Sequence, residues 1–222
     1  MRRTILTMVA ILELGASGLG AQETPRTRAQ QALPAEVFRD LSALADEMTA
    51  SGVPEEPLYV KALEGTAKRV PPARLMPAVR AYASRLGQAR RAFGPEAPTP
   101  LLVAGADALQ RGVSADALRA LPRDRPRSPM AVVVLADLME SGVPADRALA
   151  VLRDVMRQRL RDDRMLDVSA RVRRLIRQGL TPRDAVDRVR RTLRRSRDGS
   201  LGPPVPPGSE PTTDVRIRDG SR

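Results

Sequence analysis

Residues 140–149 read ESGVPADRAL, and three other stretches echo them: ASGVPEEPL from residue 50, QRGVSADAL from residue 110 and RQGLTPRDAV from residue 177. Each glycine of the phrase follows an amphipathic run. A helix that stops there needs a residue able to take positive φ without a Cβ clash, which is the ordinary use of glycine just past a helix C-terminus. Gly52, Gly112, Gly142 and Gly179 are therefore assigned as structural turns. The next residue, Val53, Val113, Val143 or Leu180, is apolar and can fold back on the finished helix. A start signal follows: Pro54, Ser114, Pro144, or Thr181 with Pro182 and Asp184, the last in the form of a capping box with proline at the first helical position. The phrase spells a tight turn between two helices.

KRVPPARL, residues 68–75, is a fifth version with Arg69 in the glycine position. Upstream, Val37, Phe38, Leu41, Leu44, Ala45 and Met48 recur at spacings of three and four and predict a helix that ends near Ser51. Pro57 falls in the opening turn of its helix, whereas Pro77 lies deeper and is expected to kink or delay its helix. FGPEAPTP (93–100) and LPRDRPRSP (121–129) read as loops. MAVVVLADLM (130–139) has enough β-branched residues for a strand, but it runs on to the stop at Gly142 and is read as helix. The four glycines lie 60, 30 and 37 residues apart, too uneven for a strict period. The fold class expected is all-α, an irregular stack of antiparallel helical hairpins and not a strict solenoid.

The 222 residues suit one domain with tails. Met1, Arg2 and Arg3 precede an apolar run from Ile5 to Leu14 and a set of small residues ending at Ala21, the order of a secretory signal peptide. Glu13 interrupts the run and Leu19 is large for its place before the cut, which keeps an uncleaved anchor open. The run is shorter than the roughly 20 residues of a comfortable membrane span. The organisation expected is a signal peptide over 1–21, a flexible lead-in over 22–34, a helical-hairpin domain over 35–195 and a disordered Pro/Gly-rich tail over 196–222. The protein is thus expected to be exported, periplasmic or secreted.

Histidine and cysteine are both absent. That removes thiolate nucleophiles, imidazole bases, Ser/His/Asp triads and ordinary zinc or haem ligation. Glycoside hydrolysis can run on paired carboxylates. Glu55 with Glu56 and Asp162 with Asp163 are such pairs, but each has a structural explanation at a helix start or a turn. Phosphate-binding glycine loops and calcium-loop spacings are missing. The expectation is no enzyme, no catalytic residue, no metal and no cofactor.

Charge placement is the main anomaly. The chain carries a net charge of +12, and residues 153–197 hold 16 arginines against six aspartates. Arg183, Arg188, Arg190, Arg191, Arg194 and Arg195 surround an apolar stripe of Ala185, Val186, Val189 and Leu193, and form a candidate anion-binding face for lipid headgroups or lipopolysaccharide. The plainer reading is a solvated face, with Asp184 and Asp187 placed four residues before Arg188 and Arg191. Nucleic acid is disfavoured because aromatic residues for base stacking number only four, Phe38, Tyr59, Tyr82 and Phe93.

YVKALEGTAKRVPPARLMPAVRAYASRL, LLVAGADALQRGVSADALRAL and VVLADLMESGVP together resemble a group of exported Ala- and Arg-rich helical proteins from high-GC bacteria. The resemblance implies fold and export, and carries over no functional residue. Two functions follow as expectations. The first is a non-enzymatic scaffold of the cell envelope that binds a protein partner through its hairpins. The second is a binder of anionic surfaces through the arginine-rich C-terminal helices.

Overall fold

A computed structural model describes residues 23–122, 128–158 and 161–195, which form ten helices and no strand. These are α1 (Pro25–Ala32), α2 (Ala35–Ala50), α3 (Glu56–Ala67), α4 (Pro72–Phe93), α5 (Thr99–Gln110), α6 (Ala115–Arg119), α7 (Pro129–Glu140), α8 (Ala145–Arg157), α9 (Asp162–Arg177) and α10 (Pro182–Arg195). The expected signal peptide and tail, residues 1–21 and 196–222, lie outside the described residues, as does most of the 121–129 loop.

Each repeated phrase closes a helix in the same way. Gly52, Gly112, Gly142 and Gly179 take φ of +76°, +90°, +83° and +95°. The amide after each glycine donates to the carbonyl five residues back: Val53 to Met48, Val113 to Ala108, Val143 to Leu138 and Leu180 to Leu175, all at 2.9–3.1 Å. The glycine amide itself donates to the carbonyl three residues back, which completes the Schellman pattern. Val53, Val113 and Val143 are buried, so the apolar residue does fold back on its helix. Arg69 repeats the geometry at φ +56°, with the Val70 amide on Gly65. The hydroxyls of Ser114 and Thr181 cap α6 and α10 by accepting from the amides of Ala117 and Asp184. Pro144 precedes α8 without a side-chain cap, and Pro54 stands one residue outside the Glu55 cap of α3.

Two expectations are corrected. The lead-in is not wholly irregular: its residues form α1, capped by Thr24, which packs on α3 and buries Ala29 completely. Of the two effects expected of Pro77, the delay is the one overturned: α4 begins at Pro72 and continues through it to Phe93. The side chain of Pro77 is exposed, so its ring displaces no core residue.

Alternate helices pack side by side in two rows. One row holds α1 against α3, and α5 against α7 against α9; the other holds α2 against α4 against α6, and α8 against α10. Consecutive helices pack across the rows as the hairpins α3/α4, α4/α5, α7/α8 and α9/α10. With few aromatics, the core is built from Ala, Leu and Val, whose small side chains let helices approach closely. It falls into two clusters. One spans α1 to α5 and includes Leu41, Leu58, Tyr59 and Leu86; the other spans α4, through Ala92, to α10 and includes Leu118, Leu135, Leu152 and Val186. Helix α5 serves both, with Leu102 and Ala106 in the first and Leu101 and Ala108 in the second.

Candidate functional site

The first row has a break. α1 packs on α3 and α5 packs on α7, but α3 and α5 do not close on each other to the same degree. The gap is a groove of about 760 Å³, with α3 on one wall, α5 on the other and Tyr82 of α4 lining it between them. It runs on toward α7 as a second hollow of about 400 Å³, and Lys61, Ala104, Asp107 and Val133 line both.

The apolar lining comes from Pro57, Val60, Pro100, Val103 and Val133. Val60 is 48% exposed, one of only two large apolar side chains so exposed among the described residues. A helix whose exposed face carries Val60 beside Lys61 and Glu64 departs from a purely solvated surface. The polar groups are unevenly satisfied. Lys61 donates to Glu64 at 2.8 Å, Lys68 donates to the other oxygen of Glu64, and these bonds hold the Glu64 carboxyl down at about 2. The Lys61 ammonium also lies 5.6 Å from the centre of the Tyr82 ring. Burial, with the nearby Asp107 charge, pushes the Tyr82 phenol up to about 12, and among the described residues no hydrogen bond is formed by its hydroxyl.

Among the described residues, Glu56 and Asp107 are the lining carboxylates that join no ion pair, and Asp107 is the one whose titration is shifted. Partial desolvation pushes its carboxyl above the usual range, and the nearby Lys61 and Arg85 offset only part of this. The residue is nonetheless exposed, so water reaches its carboxylate. The neighbouring cations are engaged elsewhere: Lys61 with Glu64, Arg85 with Gln110, and Arg111 with Asp137 and Glu140. An exposed carboxylate beside apolar walls, with its neighbouring cations engaged elsewhere, is open to an incoming cation.

The six arginines singled out in the sequence do not form one face. Arg190 and Arg194 turn toward Asp154 of α8, to which they donate at 3.0 and 3.2 Å. Asp154 is 2% exposed and takes a third guanidinium from Arg157. Burial would raise its carboxyl, but the hydrogen bonds from Arg190, Arg157 and Arg194 outweigh that and hold it below the usual range. Arg183, Arg188, Arg191 and Arg195 are exposed and stand apart from this cluster. The i to i+4 pairs expected on α10 are replaced by others. Asp184 accepts from Thr181 in the capping box, and Asp187 is taken by Arg147 at 3.3 Å with Arg190 at 4.0 Å. A cap and a neighbouring helix offer shorter, better-fixed partners than two flexible surface side chains.

A second shared carboxylate is Asp137 of α7, which receives Arg111 at 2.7 Å, Arg173 at 3.1 Å and the buried Ser169 hydroxyl at 3.1 Å. Asp137 thereby ties the α5/α6 turn and α9 to α7. Of the carboxylate pairs, Glu55 joins Arg26 of α1 and Asp162 accepts from Ser128. Asp107 and Asp137 were not among the residues that sequence reasoning selected, and Asp154 entered it only as one of the aspartates that interleave with the arginines of 153–197. No family, no curated protein and no solved structure matches the chain.

Proposed function

We propose that the chain is a non-enzymatic interaction scaffold whose α3/α5 groove takes an extended protein segment bearing apolar side chains and one basic residue. The observation that carries the proposal is the unpaired Asp107 carboxylate in a groove walled by Val60, Val103 and Val133. The charged lining of the groove is Glu56, Lys61, Glu64 and Asp107, so acids predominate there in a chain whose net charge is +12. Charge complementarity therefore selects a basic segment over an acidic one. Tyr82 supplies a donor suited to a backbone carbonyl, and the valines supply apolar contact. The pattern of Met1 to Ala21 supports a place in the cell envelope for this role.

The test is fluorescence anisotropy with three synthetic peptides of the same apolar sequence that differ only in a central Arg, Leu or Glu. The Arg peptide is expected to bind tightest and the Glu peptide weakest. Asp107→Asn should remove the preference for Arg and leave the Leu peptide unchanged, with no loss of melting temperature because desolvation disfavours the Asp107 charge by more than the nearby Lys61, Arg85 and Arg111 favour it. Equal binding of all three peptides, or an Arg preference that survives Asp107→Asn, refutes the proposal.

A further inference from the structure

The arginines around Asp154 line a cleft of about 600 Å³ that shares no residue with the groove. Its walls are Arg153, Asp154 and Arg157 of α8, Arg190 and Arg194 of α10, and the apolar Pro122, Ala150 and Met156. Four arginines thus line a cleft that holds a single carboxylate, and three of them, Arg157, Arg190 and Arg194, already contact it.

Fastening α10 to α8 does not account for this set. Arg190 and Arg194 cross from α10 to Asp154 and suffice as the fastening. Arg157 sits three residues beyond Asp154 on the same helix, so its bond joins no two elements, and its side chain is 70% exposed. Arg153 is exposed too; its Nε donates to the Leu149 carbonyl, which leaves the planar outer edge of the guanidinium for another acceptor. Asp154 and Leu149 thereby hold the guanidiniums in place before any ligand arrives, which lowers the ordering cost of binding. Guanidinium forks match the oxygens of a phosphate group, and the positive charge in excess of Asp154 favours an anion of more than one charge. Pro122, Ala150 and Met156 add an apolar wall for the group that carries the phosphate.

We infer that the Arg153/Arg157/Arg190/Arg194 cleft is a binding site for a phosphomonoester. The same chemistry is offered by a small phosphorylated molecule and by the headgroup of an anionic lipid.

Calorimetric titration of the full chain with inorganic phosphate and with glycerol 3-phosphate tests the site. Co-sedimentation with phosphatidylcholine vesicles, with and without phosphatidic acid, separates the two sources. Arg153→Gln/Arg157→Gln is expected to weaken phosphate binding by about tenfold or more, the size of a lost charge-assisted hydrogen bond. Its melting temperature should fall only slightly, because neither side chain bridges two helices, Arg157 is 70% exposed, and Arg190 and Arg194 still satisfy Asp154. The control Arg183→Gln/Arg191→Gln removes equal charge from exposed positions of α10 outside the cleft and should bind as the unaltered chain does. Titration with the soluble ligands but no vesicle retention identifies a free phosphorylated molecule, and retention on phosphatidic acid vesicles that fails in Arg153→Gln/Arg157→Gln identifies the headgroup; both support the site. Absence of binding to every probe, or equal weakening by the two double variants, overturns it, the latter by showing a diffuse field.

Discussion

Positive φ at the residue after a helix is a cost that glycine avoids and every other residue bears in part. Gly112 and Arg69 show the two sides of it. At Gly112 a Cβ would meet no atom within 4 Å, so a substitution there is judged by the backbone alone. Gly112→Ala should lower stability by about 1 kcal/mol, the left-handed penalty of an alanine. Arg69 sits in the same turn at φ +56° with an exposed side chain. Arg69→Gly should therefore raise stability, by less than Gly112→Ala lowers it, since glycine also loosens the unfolded chain. Denaturant melts of the two variants beside the parent check both signs; an unstabilised Arg69→Gly would mean that Arg69 makes a contact which outweighs its strain. These turns were legible in the sequence because a Schellman turn is local. Its positive-φ residue, its apolar successor and the next helix start all lie within a few residues.

At the scale of elements, legibility falls off as partners move apart along the chain. Helix α1 was missed because PRTRAQQA buries little beyond Ala29, so it lacks the apolar periodicity that signals a helix. The groove joins Val60, Tyr82, Asp107 and Val133, and Asp154 meets Arg190 and Arg194 across 36 and 40 residues; no local pattern records that registration. A signal for the cleft did exist, since Asp154 stands among Val151, Leu152 and Val155 on the buried side of α8, where a lone carboxylate demands partners. Asp154 fastens α10 to α8, and its removal leaves Arg190, only 19% exposed, without its nearest acceptor. Asp154→Asn should cost about 3 kcal/mol at neutral pH, the range for breaking one side of a buried pair. The pH dependence has a definite sign. The folded-state pKa is depressed, so the stabilisation is complete above the unfolded value of about 3.9 and is lost as pH falls through the folded value. The stability gap between parent and Asp154→Asn should hold constant from neutral pH to about 4 and then narrow. Urea melts through that range measure it; a gap that stays constant into stronger acid would remove the ionised carboxylate from the account.

Across the whole molecule, the two apolar clusters meet at α4 and α5, so the cooperativity of the fold depends on that contact. Phe93, Ala97 and Leu109 pack against both clusters, and Leu101 and Leu102 are consecutive residues that face one each. Stacked helical hairpins touch mainly their neighbours, and a weak interface lets one half open while the other persists. Gly105 sets the closeness of this interface. A Cβ at that position would lie 2.6 Å from Cε2 of Phe93 and 2.9 Å from Cβ of Ala89. The ring of Phe93 can turn aside, but Ala89 Cβ is fixed to the α4 backbone, so the helices themselves must part. Gly105→Val is thus expected to cost about 2 kcal/mol, within the range for overpacking, and to do so at the junction between the two clusters. The parent chain should unfold in one transition. In Gly105→Val, amides of α9 and α2 should lose hydrogen-exchange protection at different denaturant concentrations, because each cluster keeps its own core while their coupling is weakened. A variant that merely unfolds earlier, with both helices still losing protection together, would place the coupling of the halves somewhere other than the α4/α5 contact.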